Sequence, residues 1–186
     1  MIKKIILPFS FLLLFFSVKA QETDVIPRRS FGIFAGAGNI NHVSDAPFPY
    51  ILHHNPGVGE SVVVGVFMKV PMGENLFFKP ELNYNFSNKS TGYLELAPLL
   101  KYNLFDTNLS VLAGPQARII TTELSDNYKR TGFELAGGLN YDLGKRWVIE
   151  AKYAYEFTNR YEDGFQYTGD KEMHFETWSV GVGFKF

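Results

Sequence analysis

The chain contains no cysteine. That one absence excludes a disulfide framework, a thiolate metal site, a cysteine nucleophile and a lipid-modified N-terminal cysteine. Histidine is nearly as scarce: His42, His53, His54 and His174 are the full set, all in or beside segments that read as long loops. Long hydrophobic runs are missing after the first twenty residues, so no later segment has the roughly 20 apolar residues that a spanning helix requires. An excess of either charge is missing too, with 18 basic against 19 acidic residues, and nothing in that balance points to nucleic acid.

The first twenty residues carry a pattern of their own. Lys3 and Lys4 give a positive start, Ile5 to Phe16 a nearly unbroken apolar core, and Val18-Lys19-Ala20 the small residues of a cleavage site. This reads as a secretory signal peptide cleaved before Gln21. Removing it takes three lysines and no acid, which moves the net charge from −1 to −4. Residues 21–30 then form a short periplasmic lead, and 31–186 form one domain.

Aromatic residues are plentiful, with 18 Phe and 10 Tyr, in a chain of near-neutral mean hydropathy. From Phe31 onward the dominant period is two, the spacing of strands. Trp178, Val180, Val182, Phe184 and Phe186 share one face, opposite Thr177, Ser179, Gly181, Gly183 and Lys185. Ile149 to Phe157 repeat the pattern against Glu150, Lys152, Ala154 and Glu156. Similar pieces fall at 78–86, 94–102, 110–119 and 133–141, and two weaker ones at about 31–41 and 58–70 make eight. The glycine clusters Gly36-Ala37-Gly38 and Gly57-Val58-Gly59 complete no phosphate-binding fingerprint and read as close strand packing. Connections at 71–75, 105–108 and 142–146 are tight, while 42–57, 121–131 and 159–174 are long; 87–91 is short on the long side. Tight turns on one rim and long loops on the other are the layout of an eight-stranded antiparallel transmembrane up-and-down β-barrel, an all-β fold.

Alternation alone does not say which face is inside, since a soluble barrel alternates with its apolar face inward. Two features decide it. Glycine, alanine and serine sit between the charges of the polar face, as a cramped interior requires. Aromatics also cap both ends of the apolar face: Phe78, Tyr102, Tyr141, Trp147 and Phe186 on the tight-turn side, Phe86, Phe133, Phe157 and Trp178 on the loop side. Two girdles flanking an aliphatic band match a membrane slab.

At Tyr93-Leu-Glu-Leu-Ala-Pro-Leu-Leu-Lys-Tyr102, Leu112-Ala-Gly-Pro115, Gly132 to Tyr141, Ile149 to Asn159 and Ser179-Val-Gly-Val-Gly-Phe-Lys-Phe186, the sequence resembles the outer-membrane β-barrel family widespread in Bacteroidetes. That family includes PorT-like proteins and is distantly similar in architecture to OmpX and the OmpA barrel. The resemblance implies a Gram-negative outer-membrane location, outer-membrane lipid as surroundings, and the barrel-assembly machinery as a partner during insertion, through an aromatic-ended last strand. It also implies a link to secretion-system proteins, although PorT-like chains are commonly longer. It carries over no catalytic residue.

With the polar face inward, Lys69, Lys79, Lys101, Arg118, Lys152 and Lys185 meet Glu81, Glu95, Glu134, Glu150 and Glu156. In an interior that side chains largely fill, such groups have to pair to offset desolvation, so they read as a salt-bridged plug. A hydrolase of the lipid A deacylase type needs a strand-borne histidine and serine oriented by a third group, and no such pair is present. His53-His54 lacks a third ligand for a metal. The sequence therefore predicts no catalytic, cofactor or metal site and a non-enzymatic barrel. Its long loops, with Pro47 to Leu52 in one and Tyr161, Phe165 and Tyr167 in another, either contact a surface ligand or fold over the barrel mouth. The alternative function is an accessory part of a secretion system or a narrow channel.

Overall fold

A computed structural model describes residues 29–44, 59–87, 91–104, 107–122, 128–162 and 172–186. The predicted signal peptide, the lead up to residue 28, His53-His54, Pro47 to Leu52, Phe165 and Tyr167 all lie outside the described residues. Among those described, no helix is long and apolar enough to cross a membrane.

The described residues form eight strands: β1 (Ser30–Ser44), β2 (Gly59–Pro71), β3 (Leu76–Ser87), β4 (Gly92–Asn103), β5 (Leu109–Ile120), β6 (Thr131–Leu143), β7 (Trp147–Glu156) and β8 (Met173–Lys185). Each pairs antiparallel with its neighbours in sequence, and β8 returns to β1 to close the ring. Closure satisfies the backbone donors and acceptors that an open edge would leave bare.

The stagger of that ring follows from the pairing. Val70 faces Phe78, and successive partners Leu100, Ala113, Gly137, Tyr153, Trp178 and Asn39 lead back to β2 at Glu60, ten residues from the start. Eight strands with this shear tilt by about 40° and enclose only enough room for side chains.

At three strand ends the difference from the pattern reading moves a titratable residue onto a strand. β1 continues to Ser44 and β8 starts at Met173, so His42 and His174 stand on strands. β6 continues to Leu143, which makes Asp142 a strand residue and leaves the tight turn to Gly144, Lys145 and Arg146. Gly144 has φ 64°, the left-handed conformation that glycine adopts without a Cβ penalty.

The burial pattern is inverted relative to a soluble protein. The outward face of each strand is apolar, with Val62, Val64, Val66, Leu82, Leu96, Leu100, Leu135, Leu139, Val180 and Val182 all exposed. In water a continuous belt of this kind would cost about 25 cal/mol per Å²; in lipid it costs nothing. The named aromatics bound the belt: Tyr102, Tyr141, Trp147 and Phe186 are exposed near the tight turns, Phe157 and Trp178 near the other rim, and Phe78 is half-buried. Phe31 stacks on Phe186, and Phe184 meets Trp147 edge-on. Between Phe78 and Phe86 the tilted β3 rises about 20 Å, close to the height of an apolar band for a membrane barrel.

The closing seam is where small residues matter most. Gly36 faces Gly181 across β1 and β8, and a Cβ on Gly36 would lie 2.5 Å from the Val180 carbonyl oxygen and 2.8 Å from Gly181 Cα. Backbone cannot yield there as a side chain would. Gly36→Val is therefore expected to destabilise the refolded barrel by about 1–3 kcal/mol, read as a lower urea midpoint in detergent micelles. An unchanged midpoint would mean that the seam tolerates bulk and that glycine is not required for closure.

Candidate functional site

The inward faces build a lumen of charge stacked in two clusters. Nearer the tight turns, Lys79 binds Glu81 at 2.5 Å and also contacts Glu150, while Lys152 reaches Glu81 at 2.7 Å. Asn83 donates to Glu81 and Asn140 to Glu150. Below them Lys101 donates to Asn140 at 2.6 Å and to Asp142 at 2.8 Å, and Lys185 reaches the other Asp142 oxygen at 2.6 Å. Lys69 lies over the Phe77 ring, 3.9 Å from its centroid.

The second cluster lies toward the opposite rim. Arg118, fully buried, donates through Nε and Nη2 to one Glu95 oxygen at 3.1 and 2.7 Å. Its Nη1 stands 3.1 Å from Glu134 Oε1, an ion contact whose angle is not that of a hydrogen bond. Gln116 donates to the other Glu134 oxygen at 2.6 Å. Glu156 contacts Arg160 Nε at 2.6 Å and accepts the Phe175 backbone N–H at 2.9 Å. Between the clusters Ala97, Leu99, Leu112, Ala136 and Ala154 form a small apolar layer.

Lys79, Glu81, Glu95, Lys101, Arg118, Glu134, Glu150, Lys152 and Glu156 are thus buried inside the ring, and Lys185 is half-buried at its mouth. The set of six bases and five acids expected from the sequence is incomplete, because Asp142 and Arg160 also belong to the lumen. Both continue the even-numbered face of their strands, Asn140 to Asp142 on β6 and Glu156, Thr158, Arg160 beyond β7. The parity of the alternation is the signal that finds them; turn-like composition hides it.

Arg160 also ties down the rim. Its Nη1 donates to the carbonyls of Lys129 and Arg130, and its guanidinium lies over Phe175. Gly132 makes room for this, since a Cβ there would overlap Glu156 and the Arg160 guanidinium. Above it, Ile40, Tyr93, Ile120, Tyr161, Met173 and Phe175 pack as a buried apolar cap, with Tyr128 against it. Tyr161, expected as a loop aromatic, is part of this cover. His42 points inward beside Phe175 and His174 outward beside Tyr155. Among the described residues, no three acidic or histidine side chains are placed to hold a metal.

A closed ring with a lipid-compatible exterior and an ion-paired interior defines a transmembrane β-barrel. The sequence matches the outer membrane protein beta-barrel domain family over residues 9–186 and belongs to it; the protein resides in the outer membrane of a Gram-negative cell. No curated protein sequence is significantly similar. Among solved structures, Neisserial surface protein A is 14% identical, with 86% of this chain and 100% of that one covered at a TM-score of 0.52. Ail of Yersinia pestis, in complex with the heparin analogue sucrose octasulfate, is 15% identical over 86% and 100% of the two chains at 0.51. At such identity these likenesses describe the fold.

The Arg118 cluster gives a direct test. Arg118→Ala leaves Glu95 and Glu134 facing each other without their cation, an expected loss of about 3–5 kcal/mol. Combining Arg118→Met with Glu95→Gln and Glu134→Gln removes the orphaned charge, and most of the lost urea resistance should return. A triple variant no better than Arg118→Ala would show that the stability does not come from charge pairing.

Proposed function

We propose that this protein is a non-enzymatic membrane anchor, a closed barrel that carries its long connections on the outer face of the cell and conducts no solute. The observation that carries this reading is the cap of Ile40, Tyr93, Ile120, Tyr161, Met173 and Phe175 over a lumen already filled by paired charges. A permeating ion would have to displace both. Loops on a rigid scaffold are where contacts with partners concentrate, and the long connections leave the capped rim, whereas the tight turns face the periplasm in this layout. The surface contact is the finer part of the reading. So are the secretory signal over residues 1–20, the lead at 21–30, and insertion by the barrel-assembly machinery with the aromatic-ended β8.

The Bacteroidetes, PorT-like resemblance supports a second reading, an accessory part in secretion. The feature that favours it is the lysine-rich periplasmic mouth, where Lys101 and Lys185 share Asp142 beside Lys69. Crosslinking of intact cells and affinity purification of the protein separate the two, since recovery of periplasmic or secretion components belongs to the second reading alone.

Refolded protein in planar bilayers is expected to leave the membrane silent. Glu156→Ala with Tyr161→Ala, which opens the cap, should raise leak events above that baseline. Stable, reproducible conductance steps from the unaltered protein would overturn the closed-barrel reading.

A further inference from the structure

The two ends of the lumen are not alike. The loop end is capped and its cations are matched by acids, but the tight-turn mouth holds more cations than its acids neutralise. Lys79 and Lys152 are accounted for by Glu81 and Glu150. Lys101 and Lys185 share the single carboxylate of Asp142, one on each oxygen. Lys69 pairs with no carboxylate among the described residues; its ammonium rests on the Phe77 ring, a weaker partner than an anion. Three cations therefore stand round one acid, an excess of two positive charges in a partly desolvated place.

The lysines line one shallow recess with Asp142, Phe67 and Val148, with only about 10 Å³ of enclosed room and the rest open to solvent, so an anion would sit at its opening. Their side chains are anchored: Lys101 by two hydrogen bonds, Lys185 by one and Lys69 by the ring. Each ammonium has three donors, so all three lysines keep N–H groups free to turn into the recess. A tetrahedral oxyanion offers acceptors in several directions at once, and at neutral pH a phosphate group carries close to the two negative charges needed.

We propose that the periplasmic mouth of the barrel is an oxyanion site, in which Lys69, Lys101 and Lys185 bind a phosphate group free in the periplasm or carried on a lipid headgroup. Binding leaves the Lys101–Asp142–Lys185 bridge in place and draws Lys69 off Phe77 toward the ligand. The site faces away from the loops and does not depend on what they contact.

The test uses the full chain refolded in uncharged micelles, with inorganic phosphate titrated against chloride at constant ionic strength. The side-chain ammonium resonances of Lys69 and Lys185 are monitored by NMR. The expected result is a saturable shift with a Kd of about 1 mM, weakened at least about fivefold by Lys69→Gln and unaffected by Lys145→Gln, which removes an exposed lysine of the neighbouring turn. Lys69→Gln should fold normally, because it breaks no ion pair. A second arm replaces the micelles by phosphatidylcholine vesicles with or without phosphatidylglycerol. A Lys69 shift that appears with phosphatidylglycerol and no free phosphate assigns the source to headgroups, and one that needs free phosphate assigns it to the periplasm. No saturable shift in either arm, or an equal loss with Lys145→Gln, overturns the proposal.

Discussion

The width of an eight-stranded ring with a stagger of ten residues governs both the lumen and the rims of this barrel. The interior is too narrow for a water column, so a charge placed there has to be neutralised by another charge within reach. The surrounding lipid prevents the chain from turning its polar face outward. Pairing inside is the remaining solution, and it spans long stretches of sequence: Lys79 meets Glu150 and Lys152 meets Glu81 across the lumen, each 71 residues apart. Such pairs form only when the ring closes in this register. The ion network and the shear are thus one constraint seen from two sides, and glycine at the β1–β8 seam is the steric condition for both.

The lumen is not uniform along its axis. An apolar layer of three alanines and two leucines separates the two ion clusters, and the larger apolar cap closes the upper one. A burial-inverted protein still uses hydrophobic packing, then, between its ion clusters and above the upper one. At the tight-turn mouth the described residues form no such cap, and the half-buried Lys69, Lys185 and Asp142 stand at the opening. The two ends of the lumen therefore present different chemistry, an apolar cap at one and half-buried charges at the other.

Much of this is legible in the sequence because a period of two assigns each side chain to a face without any knowledge of the fold. Parity alone yields the inward set from Lys79 to Lys185, and the punctuation between alternating runs yields the eight strands. Composition misleads at Asp142, where polar turn-like neighbours suggest that the strand has ended, and at Arg160, which keeps the parity of β7 and turns into the lumen although the strand itself stops at Glu156. Pairing partners are out of reach for a different reason. Which lysine meets which glutamate depends on the stagger, and the stagger is a property of closure that no single strand encodes. Gly132 shows the same limit, since its need for a missing side chain exists only once Arg160 has come in from a connection 28 residues away to meet Glu156.

Arg160 also links the scaffold to the connections it carries. Its guanidinium joins Glu156 at the end of β7 to the carbonyls of Lys129 and Arg130 before β6 and to the ring of Phe175 on β8. Next to it, Tyr161 packs against Tyr128 through an isolated bridge between the same two connections. The roots of two long connections are therefore held to each other and to the lumen network, instead of leaving the rim independently. Each loop loses less conformational entropy on being placed because its ends are already fixed. A buried charge inside the barrel thereby acts on the roots of the connections outside it, and the lumen network gives them a defined base.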